Sequence, residues 1–390
     1  MSYIQRMSLI ILGAAYFIFG TGSLAVVGLT EPMASSFKVN ESDIAQLITV
    51  FALAFALIAP VVQVVGNRIS RKRLIVIGLL LVSVGLIGTG LAPNYSIAMF
   101  FRVLTAIGAA IVGPIASSLG ASIAPPGQTA KALAIVFSGM TVATVIGVPL
   151  SSFLGHHMDW ASVFVLLGLI SLLVAIVVHY IIDDDSQAAP VKFFDLLNIA
   201  RRPATSFAMG ATLMQMAAQF ATYALISVLL AERFSASAFN ISLALMLFGL
   251  GGIVANFIVA KFGDLVSEES LLVSSLLFLG LVFIALIYIP ENVFLAMLIV
   301  ALWSLVATVF MVPQQKRLLK LAPEQSGLLL AVNASALYLG MSVGSAIGAY
   351  TWESFGNAAL PVASLLLVAV SVFCHMTSVR AFKSESAKAQ

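Results

Sequence analysis

The residue in this chain best placed to do chemistry is Arg102, which begins Arg102-Val103-Leu104-Thr105-Ala106-Ile107-Gly108 about two helical turns into an apolar run. A cation at that depth costs several kcal/mol unless it faces a wet cavity or a partner, which makes it functional by default. The alternative is that its side chain snorkels to headgroups at the near end of the run. No carboxylate stands beside it in sequence. Of the 16 Asp and Glu, none falls in the middle of an apolar run, and the nearest candidate to face Arg102 is Glu31, at the edge of the first one. Proton coupling needs a group that is charged and neutral in turn at working pH. A hydrated carboxylate near a cation keeps its charge, so weak proton coupling is expected. The second constellation is Gln215, Gln219 and Tyr223, spaced by four and therefore on one helix face. Such a stripe either lines a cavity or hydrogen-bonds one helix to another.

Several other chemistries lack their residues. No Gly-rich phosphate loop ends in Lys-Ser or Lys-Thr, and there is no His-Glu-x-x-His, so neither an ATP-driven pump nor a metalloprotease is expected. Intramembrane hydrolysis would need a nucleophile and base, or paired carboxylates, at membrane depth, and only scattered Ser and Thr are there. The single cysteine, Cys374, excludes a disulfide framework and a Cys-based metal site. His156, His157, His179 and His375 stand at helix ends or in the last apolar run and are not expected to carry protons. The chain is therefore expected to be neither an enzyme nor a nucleic-acid binder, and to need no cofactor or metal.

The elements that must position these residues are membrane spans. The 390 residues are 61% hydrophobic and only 9% charged, with a mean hydropathy of +1.11. As a soluble globule such a chain would expose an unmanageable apolar surface. A helix rising about 1.5 Å per residue needs roughly twenty apolar residues to cross about 30 Å of hydrocarbon. Twelve runs of that kind are predicted, at 8–30, 44–65, 74–92, 95–118, 131–154, 161–182, 204–230, 240–260, 270–289, 292–313, 326–350 and 358–379. The first is too long for a signal segment and is expected to stay in the protein.

Sixteen of the 19 Lys and Arg fall in alternate gaps, while the other side holds only Lys38 and Arg233. Positive loops are retained in the cytoplasm, so both termini are expected there. The break at 183–203 is the longest. It separates an N-terminal half, 1–182, from a C-terminal half, 204–390, and its segment 191–200 has the apolar and polar alternation of a short interfacial helix. Sliding the chain by about 197 residues lays Asn67 over Asp264 and Gly147 over Gly344, a faint internal repeat.

Twelve spans in two halves, with a basic turn between the second and third, resemble the major facilitator superfamily, and in detail its drug:proton antiporter and sugar-efflux branch. The family's first motif, Gly-x-x-x-Asp-Arg-x-Gly-Arg-Arg, is matched here by Gln63-Val64-Val65-Gly66-Asn67-Arg68-Ile69-Ser70-Arg71-Lys72-Arg73. Arg68, Arg71 and Lys72 survive. Asn67 replaces the acid that latches the cytoplasmic gate in the family, while the matching turn of the second half keeps Asp264. Arg102 matches the family's cavity arginine, implicated in coupling. Gly139, Gly147, Pro149 and Gly155 resemble the antiporter signature of the fifth span, with Ser151-Ser152 in place of its second glycine pair. Gly340, Gly344 and Gly348 form a small-x-x-x-small ladder in the eleventh, which is packing evidence first.

The resemblance implies a pore lined by the first, fourth, seventh and tenth spans. The polar groups it would present are Tyr16, Thr21, Arg102, Thr105, Gln215, Gln219, Tyr223, Trp303 and Thr308, with Asn256 and Asn333 beside them. It further implies a monomeric multi-pass protein of the cell (inner) membrane, working by alternating access and exporting a small organic solute. With Arg102 and no mid-membrane acid, that solute is expected to be neutral or anionic. Protons are the family's usual co-substrate, with Arg102 and Glu31 as the coupling candidates. A proton-independent facilitator or exchanger is the alternative.

Overall fold

The structure, a computed structural model, describes residues 1–66, 69–125, 127–183, 201–263, 265–321 and 326–389. The described residues are helical throughout, with no strand among them. The chain divides into two compact units, Met1–Val191 and Lys192–Gln390.

The first unit holds α1 (Tyr3–Leu24), α2 (Thr30–Phe37), α3 (Glu41–Val65), α4 (Arg71–Gly90), α5 (Tyr95–Ile123), α6 (Thr129–Val142), α7 (Val148–His157) and α8 (Trp160–Ile181). The second holds α9 (Pro203–Tyr223), α10 (Ile226–Phe234), α11 (Ala238–Phe262), α12 (Glu268–Tyr288), α13 (Val293–Val309), α14 (Met311–Leu321), α15 (Ser326–Phe355) and α16 (Leu360–Ala389). Ten helical runs are long and apolar enough to cross a membrane. The bent pair α9 and α10 supplies an eleventh, and the 30-residue helix α15 covers the remaining predicted span, so each predicted span has a helical counterpart.

Where the helices begin follows from their sequence. Asn94, Asp159, Ser237, Ser267 and Asn292 precede α5, α8, α11, α12 and α13, and each side chain accepts a backbone N–H of the first turn that would otherwise lack a partner. The first turn of α4 carries Arg71, Lys72 and Arg73, where the helix dipole disfavours cations. Helix stability therefore does not account for that basic cluster.

Two predicted spans are broken rather than continuous. The first ends as α-helix at Leu24, passes through a 3-10 turn at Ala25–Gly28 and resumes as α2. The seventh bends by 44° between Tyr223 and Ile226, where Leu225 N–H bonds the Thr222 carbonyl at 3.2 Å in a tightened turn. Both broken spans end on a left-handed residue, Lys38 at φ 57° and Ser235 at φ 50°. These positions lie 197 residues apart, the same offset as the faint repeat in the sequence. That offset also relates the first residues of α3 and α11, Glu41 and Ala238, and of α4 and α12, Arg71 and Glu268. The two units therefore repeat one helix pattern.

Close helix approaches are made at glycine. A methyl at Gly108 would meet the Gly78 carbonyl oxygen at 2.5 Å, which presses α5 against α4. On α15, Gly340, Gly344 and Gly348 stack on Leu213, Ala217 and Ala221 of α9, and a methyl at Gly344 would lie 2.7 Å from the Ala217 Cα. The ladder fits a second ladder of equal spacing. Apolar packing within the second unit includes Ala211, Leu272, Leu276 and Phe310, all buried.

Candidate functional site

In the first unit the site is built around the break in the first span. Arg102, on α5, is fully buried, with 0% of its surface exposed. Its guanidinium donates from Nη1 to the Gly22 carbonyl at 2.7 Å and from Nη2 to the Ser23 carbonyl at 3.0 Å. Its Cζ lies 4.6 Å from the centre of the Phe51 ring on α3. The Gly20-Thr21-Gly22-Ser23 stretch disfavours helix, so α1 stops, and its last carbonyls form the negative end of a helix dipole. Arg102 caps that end.

Two hydrogen bonds to a charged group are worth about 1.5–3 kcal/mol each, and a desolvated cation–π contact about 2 kcal/mol. That sum is of the order of the several kcal/mol that burial costs. The snorkelling geometry is not the one adopted. Nε of Arg102 remains buried without a partner. Glu31 stands exposed in the first turn of α2, and no carboxylate among the described residues pairs with Arg102. The break and the cation thus satisfy each other through the backbone.

Around them, the Tyr16 hydroxyl donates to the Gly113 carbonyl at 2.7 Å, beside Pro114 in α5. The Thr21 hydroxyl is buried with no partner. Thr105 is turned into the protein: its hydroxyl bonds the Phe101 carbonyl at 2.8 Å and its side chain fills the space over Gly85 on α4.

The fifth span shows what its glycine and proline pattern does. Gly139 meets the backbone of Gly13 and Phe17, and Gly147 lies against the Thr21 and Phe17 side chains. Gly155 packs against Leu29. Pro149 cannot donate a helical N–H, and the residues just before it, Ala143–Gly147, form a π turn. Ser151 and Ser152 replace small packing residues with donors: Ser151 bonds the Gly147 carbonyl at 2.7 Å, and Ser152 reaches the Gly28 carbonyl in the broken span at 3.0 Å.

In the second unit Gln215, Gln219 and Tyr223 share a face of α9. They are offset by two residues, about 200° of rotation, from the Leu213, Ala217 and Ala221 face that holds the glycine ladder. The stripe therefore looks away from α15, and Gln215 Nε2 donates to Ala307 of α13 at 3.3 Å. Tyr223, Phe248 and Trp303 form an aromatic group with ring centres 4.5, 5.7 and 6.0 Å apart, and Phe283 closes on Trp303 at 5.0 Å. Trp303 Nε1, a donor in this cluster, is buried without a partner; so is the acceptor Gln215 Oε1, on the α9 side chain that bonds Ala307, one turn beyond Trp303 on α13. Gln219 finds only the Met216 sulfur, at 3.4 Å. Thr308 lies half-buried beside Gly252.

Asn333 is buried in a polar network the sequence did not reveal: Gln314 donates to Thr212 at 3.0 Å and to the Ala208 carbonyl at 2.7 Å, and Thr212 donates to Asn333 at 2.9 Å. The one readable signal was Asn333 itself, an amide inside a predicted apolar run. Asn256, by contrast, is exposed on α11. Two further residues missed in the sequence are Phe51, under Arg102, and Phe248, in the aromatic group.

Of the basic-turn residues, Asn67, Arg68 and Asp264 lie outside the described residues, while Arg71 and Lys72 are half-buried at the start of α4. In the second unit Lys320 is paired with Glu268 at 2.8 Å, joining the last turn of α14 to the first turn of α12. His375, on α16, is buried with both ring nitrogens unpartnered.

The family model described as Major Facilitator Superfamily matches this chain twice, over residues 10–210 and 207–389. Among curated relatives, the uncharacterized MFS-type transporter YbcL of Bacillus subtilis (strain 168) is 26% identical, over 94% of each chain. The inner membrane transport protein YdhP of Escherichia coli (strain K12) is 25% identical over 95% of this chain and 96% of its own. A probable sugar efflux transporter of Mannheimia succiniciproducens is also 25% identical, over 95% and 93%. Among solved structures, an inward-facing bacterial homolog of the human lysosomal transporter Spinster superposes with a TM-score of 0.77 at 15% identity, covering 98% of both chains. A D-xylose–proton symporter does so at 0.76 and 15%, covering 96% and 97%.

Proposed function

Because this chain belongs to the major facilitator superfamily, we propose that it exports a small neutral or anionic organic solute, of the hydroxyl-rich kind, by alternating access. It is a multi-pass membrane transporter. The observation that carries the finer reading is a pair of buried polar atoms without partners, Gln215 Oε1 of α9 and Trp303 Nε1 of α13. Gln215 bonds Ala307, one turn beyond Trp303 on α13, and the Trp303 ring packs on Tyr223 and Phe248, so an acceptor, a donor and aromatic faces lie along neighbouring turns of these helices. Buried polar atoms are rarely left unpaired, and each specific exception calls for an explanation. A solute with hydroxyl or amide groups supplies both partners, and its apolar faces pack on the rings.

Charge points the same way. The described membrane interior holds Arg102, and no carboxylate pairs with it, so a cationic solute finds no counter-charge there. The relative named as a probable sugar efflux transporter supports this class. The reading places both termini in the cytoplasm and the protein in the inner membrane as a monomer, with 1–182 and 204–390 as its halves joined by 183–203.

The test is a thermal-stability screen of the purified protein against sugars, nucleosides, amino acids, organic anions and lipophilic cations, followed by counterflow in liposomes. Stabilisation by a polyol or anion that is lost in Gln215→Ala or Trp303→Phe is the expected result. Strong export of a lipophilic cation such as ethidium, unaffected by Arg102→Gln, would overturn it. A proton-independent facilitator or exchanger is the second reading, favoured by the exposure of Glu31 and by the lack of a carboxylate partner for Arg102 among the described residues.

A further inference from the structure

We propose that the groove between α12 and α16 binds an acyl chain of an anionic phospholipid, and that Arg380 and Lys383 hold its phosphate. The groove has a cavity volume of about 620 Å³. It is lined by ten residues, all aliphatic or glycine, among them Leu277, Leu281 and Ile284 of α12 and Leu366, Ala369 and Val372 of α16. Both helices belong to membrane spans, and Leu277, Leu281 and Leu366 are each more than half exposed, so the groove opens toward lipid.

Gly280 forms part of its wall. A methyl there would meet Leu365 at 3.5 Å and Val368 at 3.8 Å, ordinary contact distances. Close helix packing therefore does not require this glycine, unlike Gly344, and what its missing side chain provides is depth.

The occupant is specified by what lies along the same face of α16. Leu365, Ala369, Val372, Met376, Arg380 and Lys383 follow at steps of four, three, four, four and three, which is one stripe of an α-helix. The apolar part of the stripe lines the groove, and its far end carries two exposed cations. Arg380 is eight residues beyond Val372, about 12 Å along the axis at ~1.5 Å per residue. Half of a bilayer's hydrocarbon core is about 15 Å deep. A chain seated in the groove thus has its headgroup at the level of Arg380 and Lys383. Basic residues at that level attract anionic lipid and gain little from a zwitterionic headgroup.

The experiment places a reporter on the rim, Leu366→Trp, in the full-length chain, reconstituted with phosphatidylglycerol or phosphatidylcholine brominated on the acyl chains. Quenching is read as the difference from the parent protein, which carries Trp160, Trp303 and Trp352. Quenching by brominated phosphatidylglycerol should exceed that by brominated phosphatidylcholine about twofold or more at equal mole fraction. Arg380→Gln with Lys383→Gln should make the two lipids equal, and Gly280→Leu should reduce quenching by both. If Gly280→Leu lowers the yield of folded protein, Ala369→Phe fills the same groove from the other wall. Equal quenching by the two lipids, a preference that survives loss of both cations, or quenching indifferent to filling the groove would each overturn the proposal.

Discussion

At the scale of single residues, the chemistry of the first unit turns on how Arg102 is satisfied. Its two carbonyl partners demand a planar fork of donors, which a lysine cannot present. Arg102→Gln should abolish transport and lower the melting temperature by several degrees, because it leaves the Gly22 and Ser23 carbonyls unpaired at a cost of about 1–3 kcal/mol each. Arg102→Lys should recover charge but only part of the stability. Thermal unfolding and solute counterflow on the same preparations check both, and a fully active, fully stable Arg102→Lys would show that charge alone matters. In the second unit, Gln215→Ala removes an acceptor that has no internal partner. It also removes the Nε2 bond to the Ala307 carbonyl, so its cost should appear as weaker solute binding together with about 1 kcal/mol of lost stability.

At the scale of elements, small residues fix the distances between helices. Gly344→Val inserts bulk where the Ala217 backbone already stands 2.7–2.8 Å from a methyl position, and overpacking of this kind costs about 1–3 kcal/mol. The control is Gly252→Ala, whose methyl would meet only the Ser304 and Thr308 hydroxyls at 3.4–3.5 Å and should be nearly neutral. Equal melting temperatures for the two variants would rule out the ladder as a packing seam. The two broken spans behave alike: each trades continuous helix for a short irregular stretch, and the first exposes backbone carbonyls to Arg102. Their positions were only half legible. The Gly20 to Ser23 run announces a weak helix, but nothing in the residues around Ala224 marks the 44° bend of the seventh span.

At the scale of the whole molecule, charge distribution decides orientation and coupling. Sixteen basic residues in alternate loops predict that reporters fused after residue 390 and before residue 1 are both cytoplasmic, which reporter activity measured in cells will test. Glu31 is exposed and unpaired with Arg102. Transport in liposomes should therefore depend weakly on an imposed pH gradient and be unchanged by Glu31→Gln. Strongly pH-driven transport lost in Glu31→Gln would show that this edge carboxylate carries the proton. If His375→Gln abolished it instead, the proton site would be the buried imidazole of α16.

The sequence by itself determined that this is a helical membrane protein, where its apolar runs lie and which of them carries a cation at depth. Those properties follow from apolar run lengths and charge positions, which are local and additive. Even the offset of 197 residues, faint in two residue pairs, reappears in the starts of α3 and α11 and in the left-handed ends at Lys38 and Ser235. Only the tertiary structure decided what Arg102 bonds, because its partners are backbone carbonyls, which every residue carries and no residue type signals. It also decided that Thr105 packs against Gly85 while Asn256 stays exposed, and that Thr212, Gln314 and Asn333 meet. Which face of a helix meets which neighbour depends on crossings between segments far apart in the chain, and spacing within one segment carries no record of them.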